Sequence, residues 1–419
     1  MNGFTLIFLA FVLATSAVLL WLAQRQRDNA LRYRQQVPEA FRDQISLAVH
    51  QKAADYTAAK MRLEQIDTVI GALLVLAWTL GGGLNLLAGL WAGSGWGEVA
   101  AGTGLMVSAF LIMSLFDIPL DVYRTFVIEA RYGFNRSSMG LYLADTLKQG
   151  AVFLILGAPL IALLLWLVIH AGGWWWLYGW LTWMAFTSAM MWLYPTWIAP
   201  LFNRFTPLED EALRERIMRL LQRCGFASGG IFVMDGSKRS QHGNAYFTGF
   251  GTNKRIVFFD TLLKSLQADE IEAVLAHELG HFKHGHVRKR LLLMAVVSLA
   301  AFALLGMLIN TEWFYAGLGL HHTSYAGAFL LFLMVMPYFS ALVRPLSSYW
   351  MRKHEFEADD YAAGQTDARN LIEALVKLYK ENAATLTPDN LYSAYHDSHP
   401  PAPVRIAHLA AKQITTSAP

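Results

Sequence analysis

The chain is short of charge and almost without cysteine. Only 16% of its 419 residues are Asp, Glu, Lys or Arg, against roughly a quarter in a soluble domain, while 55% are hydrophobic and 13% aromatic. Too little polar surface remains to enclose that much apolar side chain, which excludes a soluble globular protein. A single cysteine, Cys224, can form neither an intramolecular disulfide nor a paired-thiolate metal knuckle. Any metal must therefore be held by histidines and carboxylates. The net charge is +3, and no dense basic stripe interleaved with aromatics is present, so nucleic acid is excluded as a partner.

What the sequence does have is apolar runs long enough to cross a bilayer, which takes about 20 residues. Seven occur, near 4–23, 67–92, 101–121, 150–171, 175–197, 291–311 and 325–346. The third carries Asp117 and Asp121 near its end and the fifth carries Pro195. Lys and Arg stay on the cytoplasmic side of short loops, and here the first loop holds Arg25 through Arg62, whereas Gly93–Ala100 holds no basic residue. The alternation continues until all 34 basic residues lie on one side. This predicts an outside N-terminus and a cytoplasmic C-terminus. No cation precedes Phe4 and the basic cluster follows the first run, the flank order of an uncleaved anchor rather than a signal peptide.

Two cytoplasmic stretches are long enough to fold, about 198–290 and 347–419, which suggests a membrane part over 1–200 and a catalytic part over 201–419. Gly230–Asp235 and Arg255–Asp260 read as short strands. Leu208–Arg223 reads as an amphipathic helix, with Thr206 as N-cap and Pro207 at the first helical position. Asp269 is the expected N-cap of a helix through His281. On that helix His277 and His281 are i and i+4 and share a face, within reach of one ion at Zn–N bonds of about 2.0–2.1 Å. Glu278 sits between them, placed to act on water. This is the HExxH spacing of zinc peptidases, with the glutamate as general base. A catalytic zinc needs a third protein ligand. Glu355 and Asp359, again i and i+4, offer Glu355 for that role and Asp359 as the acceptor that orients a ligand histidine. Glu357 points nearly opposite.

His277-Glu278-Leu279-Gly280-His281 with Glu355-xxx-Asp359 resembles the glutamate-zincin membrane peptidases, and specifically the type I CAAX prenyl endopeptidase family. Phe126–Asn135 is similar to that family's N-terminal signature, Asn244-Ala245-Tyr246 with Gly249-Phe250 to its substrate-strand motif, and Ser398-His399-Pro400-Pro401 to its C-terminal motif. The resemblance implies one zinc ion on His277, His281 and Glu355, Glu278 as catalytic base and His399 as oxyanion donor. It implies a substrate peptide added as a strand along Asn244 and Ala245, and a large chamber enclosed by the spans. The expected fold class is mainly α: a multi-pass membrane protein with seven transmembrane helices and a small α+β cytoplasmic zincin-like catalytic region. The expected activity is peptide-bond hydrolysis, with prenylated CAAX C-termini as substrates and the lipid bilayer as the other partner.

Two features depart from the family pattern. Residues 129–131 read Glu-Ala-Arg, where a second acid or a Lys is common, and the C-terminal Thr-Thr-Ser-Ala-Pro carries no basic retrieval signal. The latter favours a bacterial inner membrane over the endoplasmic reticulum. The alternatives are a membrane quality-control protease of the HtpX type and, in another class, a transporter or scaffold with structural histidines. His284 and His286, reckoned around a continuous helix, fall about 300° and 140° from His281 and read as flanking contacts. Trp174–Trp176 and Trp180 read as an outer interfacial belt.

Overall fold

The computed structural model describes residues 2–248 and 254–416. Seven helices form the N-terminal half: α1 (Gly3–Arg32), α2 (Leu47–Trp78), α3 (Gly83–Ala92), α4 (Glu98–Tyr123), α5 (Met139–Val152), α6 (Ala158–His170) and α7 (Trp175–Leu193). Side chains that accept from orphan amides start several of them. Asn2 accepts from the Thr5 amide, Ser46 from Val49 and Ser138 from Leu141, as N-caps do. Wide helical turns at Arg124–Glu129 and Phe153–Gly157 extend α4 and join α5 to α6. α2 and α3 are bent by 46° across a triple glycine in which Gly82 takes φ +81°, a conformation glycine adopts without a Cβ penalty.

Among the described residues four helices are single, long and apolar enough to span a membrane: Gly3–Arg32, Glu98–Glu129, Met139–His170 and His286–Leu308. Two bent pairs, α2 with α3 and Tyr325–Ser340 with Arg344–Gln365, raise the number to six. The fifth expected span is α7. It carries no charged residue, and tryptophans at 175, 176, 180, 183 and 192 lower its mean hydropathy, so it falls outside that set. The Trp180 indole N–H donates to Ala295 O (3.1 Å) and Ser298 Oγ (3.2 Å), which docks α7 on the helix starting at His286.

Phe8, Leu84, Ala109, Leu165, Leu305, Tyr315 and Leu330 are fully or almost fully buried and form one membrane-side core. Loops two and six meet at one end, around a cavity of about 410 Å³ lined by Trp96 and His322 together with Ile169 near the end of α6. At the other end, Val37, Phe41 and Ile45 of the first loop pack with Val376, Leu386 and Ala402. Ile128 and Phe134 of the third loop pack with Tyr56 and Ala383 there too. Two further cavities, of about 870 and 990 Å³, share Asp117; the first is largely apolar, with Trp78 and Phe110, and the second is lined by Asp121, Glu129, Tyr142 and Asp145.

The C-terminal half contains a four-stranded sheet, β1 (Phe205–Pro207), β2 (Ile231–Met234), β3 (Ala245–Thr248) and β4 (Arg255–Phe259), in the order β1-β2-β4-β3. β2 and β4 run parallel; β1 and β3 flank them antiparallel, with Ala245 opposite Phe258. Its helices are α8 (Glu211–Arg223), α9 (Asp260–Ser265), α10 (Ala268–Lys283), α11 (His286–Leu308), α12 (Glu312–Gly317), α13 (Tyr325–Ser340), α14 (Arg344–Gln365), α15 (Ala368–Glu381), α16 (Asn390–His396) and α17 (Ala402–Thr416). Thr206 and Pro207 do not open α8, as the sequence suggested. They belong to β1, an edge position where a proline costs no ladder bond, and Asp210 is the cap, accepting from the Leu213 amide at 3.0 Å. Ile217, Leu220 and Leu221 of α8 bury against Ile256 and Phe258 of the sheet and Leu275 and Leu279 of α10.

Candidate metal centre and active site

The cap of α10 lies two residues before the expected one. Gln267 is the N-cap, and its amide donates to Glu270 Oε2 at 2.7 Å, while Asp269 turns outward to pair with Arg216. The helix then runs without a break through the two histidines. His277 Nε2 lies 3.4 Å from Glu355 Oε2, and His281 Nε2 lies 3.3 Å from Glu355 Oε1. Two donors on a tetrahedral ion with bonds of about 2.0–2.1 Å are about 3.3–3.4 Å apart. Each imidazole thus stands at such a spacing from one carboxylate oxygen, and one donor atom of each of the three side chains lies within 4.8 Å of the others. Glu355 Oε2 is buried without a well-aligned hydrogen bond, as expected of an oxygen meant for a cation. The residues present fit a divalent metal.

A glycine lets the two helices that carry the candidate ligands come this close. A Cβ on Gly280 would meet Ala358 Cα at 2.9 Å and Ala358 O at 3.1 Å, so α10 and α14 touch backbone to backbone. Ala358 and Ala362 are fully buried along the same seam. Asp359, also fully buried, accepts from His277 Nδ1 at 2.8 Å. Its outer side is gripped by Arg405 of α17, whose Nη2 and Nε donate to Oδ1 and Oδ2 at 2.5 and 2.8 Å. Arg405 Nη1 also lies 3.7 Å from Glu355 Oε2.

The electrostatics follow from these contacts. Burial pushes the Glu355 carboxyl up, but hydrogen bonds from His277, His281 and His399 outweigh it and hold the group well below the usual carboxylate range. Asp359 is lowered by the same balance, with His277 and Arg405 against burial. Burial and the Arg405 cation both pull His277 down, yet its bonds to Asp359 and Glu355 win and raise it to about 9. Two carboxylates therefore stay ionised beside one guanidinium, and a bound metal ion displaces the imidazole proton they hold.

Comparison with known proteins identifies this arrangement. Residues 26–204 match the profile described as CAAX prenyl protease N-terminal, five membrane helices, and residues 207–413 match peptidase family M48. A Caenorhabditis elegans CAAX prenyl protease 1 homolog is 31% identical, covering 97% of this chain and 98% of that protein. CAAX prenyl protease 1 of Saccharomyces cerevisiae is 36% identical over 71% of this chain and 69% of its own. The crystal structure of S. mikatae Ste24p superimposes with a TM-score of 0.91 at 30% identity, covering 98% of this chain and 99% of that one. The chain belongs to the type I CAAX prenyl protease family. It is a multi-pass membrane metalloprotease of mainly helical, Ste24p-like fold, acting on peptide substrates at a lipid bilayer.

Of the remaining expected residues, His399 touches the candidate metal cluster directly. Glu278 is partly exposed on the turn between the two histidines. His399 is 65% exposed at its side chain and sets Nδ1 2.7 Å from Glu355 Oε2. Among the described residues β3 is an edge strand. Asn244 O accepts from the Phe259 amide at 3.0 Å, so the Ala245 backbone faces away from β4, where the Asn244 side chain accepts from its amide at 2.8 Å. Phe247 of β3 stacks edge-on against Phe282, next to His281, with ring centroids 5.1 Å apart. The Gly249-Phe250 part of this motif lies outside the described residues. The signature near 126–135 forms a joint: Glu129 accepts from Tyr56 at 2.5 Å and lies 3.4 Å from His242 Nε2, while Phe134 stacks on the His242 ring.

Sequence reasoning missed Arg405 and underrated His286. Nothing in a linear pattern pairs residue 405 with residue 359. The angular argument for His286 assumed a continuous helix, but α10 ends at Lys283, Gly285 takes φ +67° and α11 begins afresh. The chain reversal brings His286 Nδ1 to 2.9 Å from His281 Nδ1. His284 is exposed and stacks on the His286 ring at 5.6 Å, a flanking contact.

Proposed function

We propose that the chain is a zinc-dependent endopeptidase that trims the C-termini of prenylated CAAX proteins, with His277, His281 and Glu355 as metal ligands. The observation that carries this reading is the set of 3.3–3.4 Å separations between Glu355 and the two imidazoles, which matches a tetrahedral shell. When bound there, zinc supplies a Lewis acid that polarises a carbonyl and lowers the pKa of water toward about 7. Asp359 holds His277 in the tautomer that presents Nε2. Glu278 takes a proton from the attacking water and returns it to the leaving amine. His399 donates to the oxygen of the scissile carbonyl as charge develops on it. The outer edge of β3 at Asn244 and Ala245 receives the peptide as an added antiparallel strand. The CAAX substrate class rests on the names of the relatives that match along nearly the whole chain.

The architecture we propose has seven spans, with α7 as the one that tryptophan disguises. A membrane part over 1–200 precedes a catalytic part over 201–419, with the N-terminus outside and the active site cytoplasmic. Loops one and three and the C-terminal region pack together, while loops two and six meet at the opposite end, beside Ile169 near the end of α6. That parity is what an odd number of spans requires, and with all basic residues at the catalytic end it supports this orientation. The test is zinc content and cleavage of a farnesylated CAAX peptide and an unmodified control, for wild type and Glu278→Gln in detergent. We expect one zinc per chain in both proteins and turnover only in wild type, since a general base contributes about 10²–10⁴-fold. No zinc in wild type, or equal cleavage by both, overturns the reading.

A further inference from the structure

The two candidate metal-binding imidazoles are supported differently. His277 has a carboxylate, Asp359, directly on Nδ1. His281 has none. Its Nδ1 lies 2.9 Å from Nδ1 of His286, and Nε2 of His286 lies 2.9 Å from Glu357 Oε2. His286 is 1% exposed, and the His354 ring stacks on it at 3.9 Å and 12°, which holds its plane.

The protons in this chain can be placed by counting. His281 turns Nε2 toward Glu355, at 3.3 Å. A cation on that nitrogen needs its lone pair, so the ring proton sits on Nδ1. His286 Nδ1 must then accept, which leaves the His286 proton on Nε2, where the Glu357 carboxylate accepts it. Every donor in the chain meets an acceptor, and both His286 nitrogens are used.

We infer that His286 and Glu357 are positioning residues that hold His281 for the metal, an imidazole-bridged counterpart of the direct Asp359–His277 contact. The inference rests on the metal reading proposed above. It also competes with a second arrangement. His286, His354 and Glu357 bring donor atoms within 4.8 Å of one another, and His354 Nδ1 is buried without a partner, so a second cation could be imagined there. The relay leaves His286 no free lone pair, and the two arrangements are mutually exclusive.

The experiment measures zinc stoichiometry and zinc affinity, by competition with a chromophoric chelator, on the full-length protein in detergent. It compares wild type, His286→Phe, Glu357→Leu, Glu357→Gln and His354→Phe, with melting of each zinc-free protein as the folding control. Loss of an orienting partner weakens metal binding by about 10–100-fold, which is expected for His286→Phe and Glu357→Leu. Glu357→Gln still offers an amide oxygen to the His286 Nε2–H and should stay within about threefold of wild type. A merely structural role would lower the zinc-free melting temperature and give no rescue by glutamine. One zinc in wild type with affinity unchanged in His286→Phe and Glu357→Leu overturns the relay alone. Two zincs in wild type and one in His354→Phe overturn it in favour of the second cation site. A wild type without zinc removes the metallopeptidase reading and the relay with it.

Discussion

Replacing Asp359 by alanine tests how the centre is organised. The carboxylate does two things at once: it accepts from His277 Nδ1 at 2.8 Å and it neutralises Arg405 through two bonds of 2.5 and 2.8 Å. Losing the first frees the imidazole and, as for other orienting partners, weakens zinc by about 10–100-fold, or about 1.4–2.7 kcal/mol. Losing the second strands a buried guanidinium whose Nη1 is already 3.7 Å from Glu355 Oε2. At that range a unit charge pair attracts by about 4 kcal/mol in a medium of effective dielectric 20. Arg405 therefore turns onto Glu355 and competes with the metal for it, at a cost of about another tenfold. Asp359→Ala should bind zinc about 10²–10³-fold more weakly, and Asp359→Ala/Arg405→Met should recover roughly tenfold, because removing the cation removes the competitor. Chelator competition on the four members of the cycle, with helicity checked by circular dichroism, measures this. A double variant as weak as Asp359→Ala or weaker would refute the reasoning.

Other expectations follow from single contacts. Gly280→Ala puts a methyl 2.9 Å from Ala358 Cα; parting α10 from α14 costs about 1–3 kcal/mol and stretches the Glu355–histidine spacing, so both melting temperature and zinc affinity should fall. His399→Ala should keep one zinc per chain and lose about 10²–10³-fold in kcat, as single-turnover assays would show; loss of zinc instead would make His399 a support of Glu355 only. Asp389 is pushed up by burial, but Arg25 and the Leu391 and Tyr392 amides hold it below its usual value. A depressed carboxyl contributes stability above its unfolded pKa of about 3.9 and loses it as pH falls through the folded value. Proteolysis of the loop at 382–389 should therefore begin on acidification below pH about 4 in wild type and already occur near neutrality in Arg25→Leu.

Much of the site was legible because helices convert short spacings into shared faces. His277 and His281, and then Glu355 and Asp359, are each four apart, and no knowledge of the fold is needed to see that each pair points one way. The strands at 231–234 and 255–259 were equally plain from their β-branched and aromatic runs. Boundaries were not, because local signals compete. Thr206 and Pro207 satisfy the rules for a helix start, yet pairing with β2 claims them, and Gln267 outbids Asp269 for the cap of α10.

By itself the sequence determined that the chain lives in a membrane, that a metal would be bound by histidine and carboxylate, and which residues could bind it. Charge depletion, a lone cysteine and four-residue spacings decide these without reference to anything distant. Only the tertiary structure decided what supports those ligands. Arg405 reaches Asp359 from 46 residues away and Glu357 reaches His286 from 71, and Gly280 matters because of Ala358 on another helix. Such contacts depend on how α10, α14 and α17 pack and on a reversal at Gly285, which no periodicity within one element encodes.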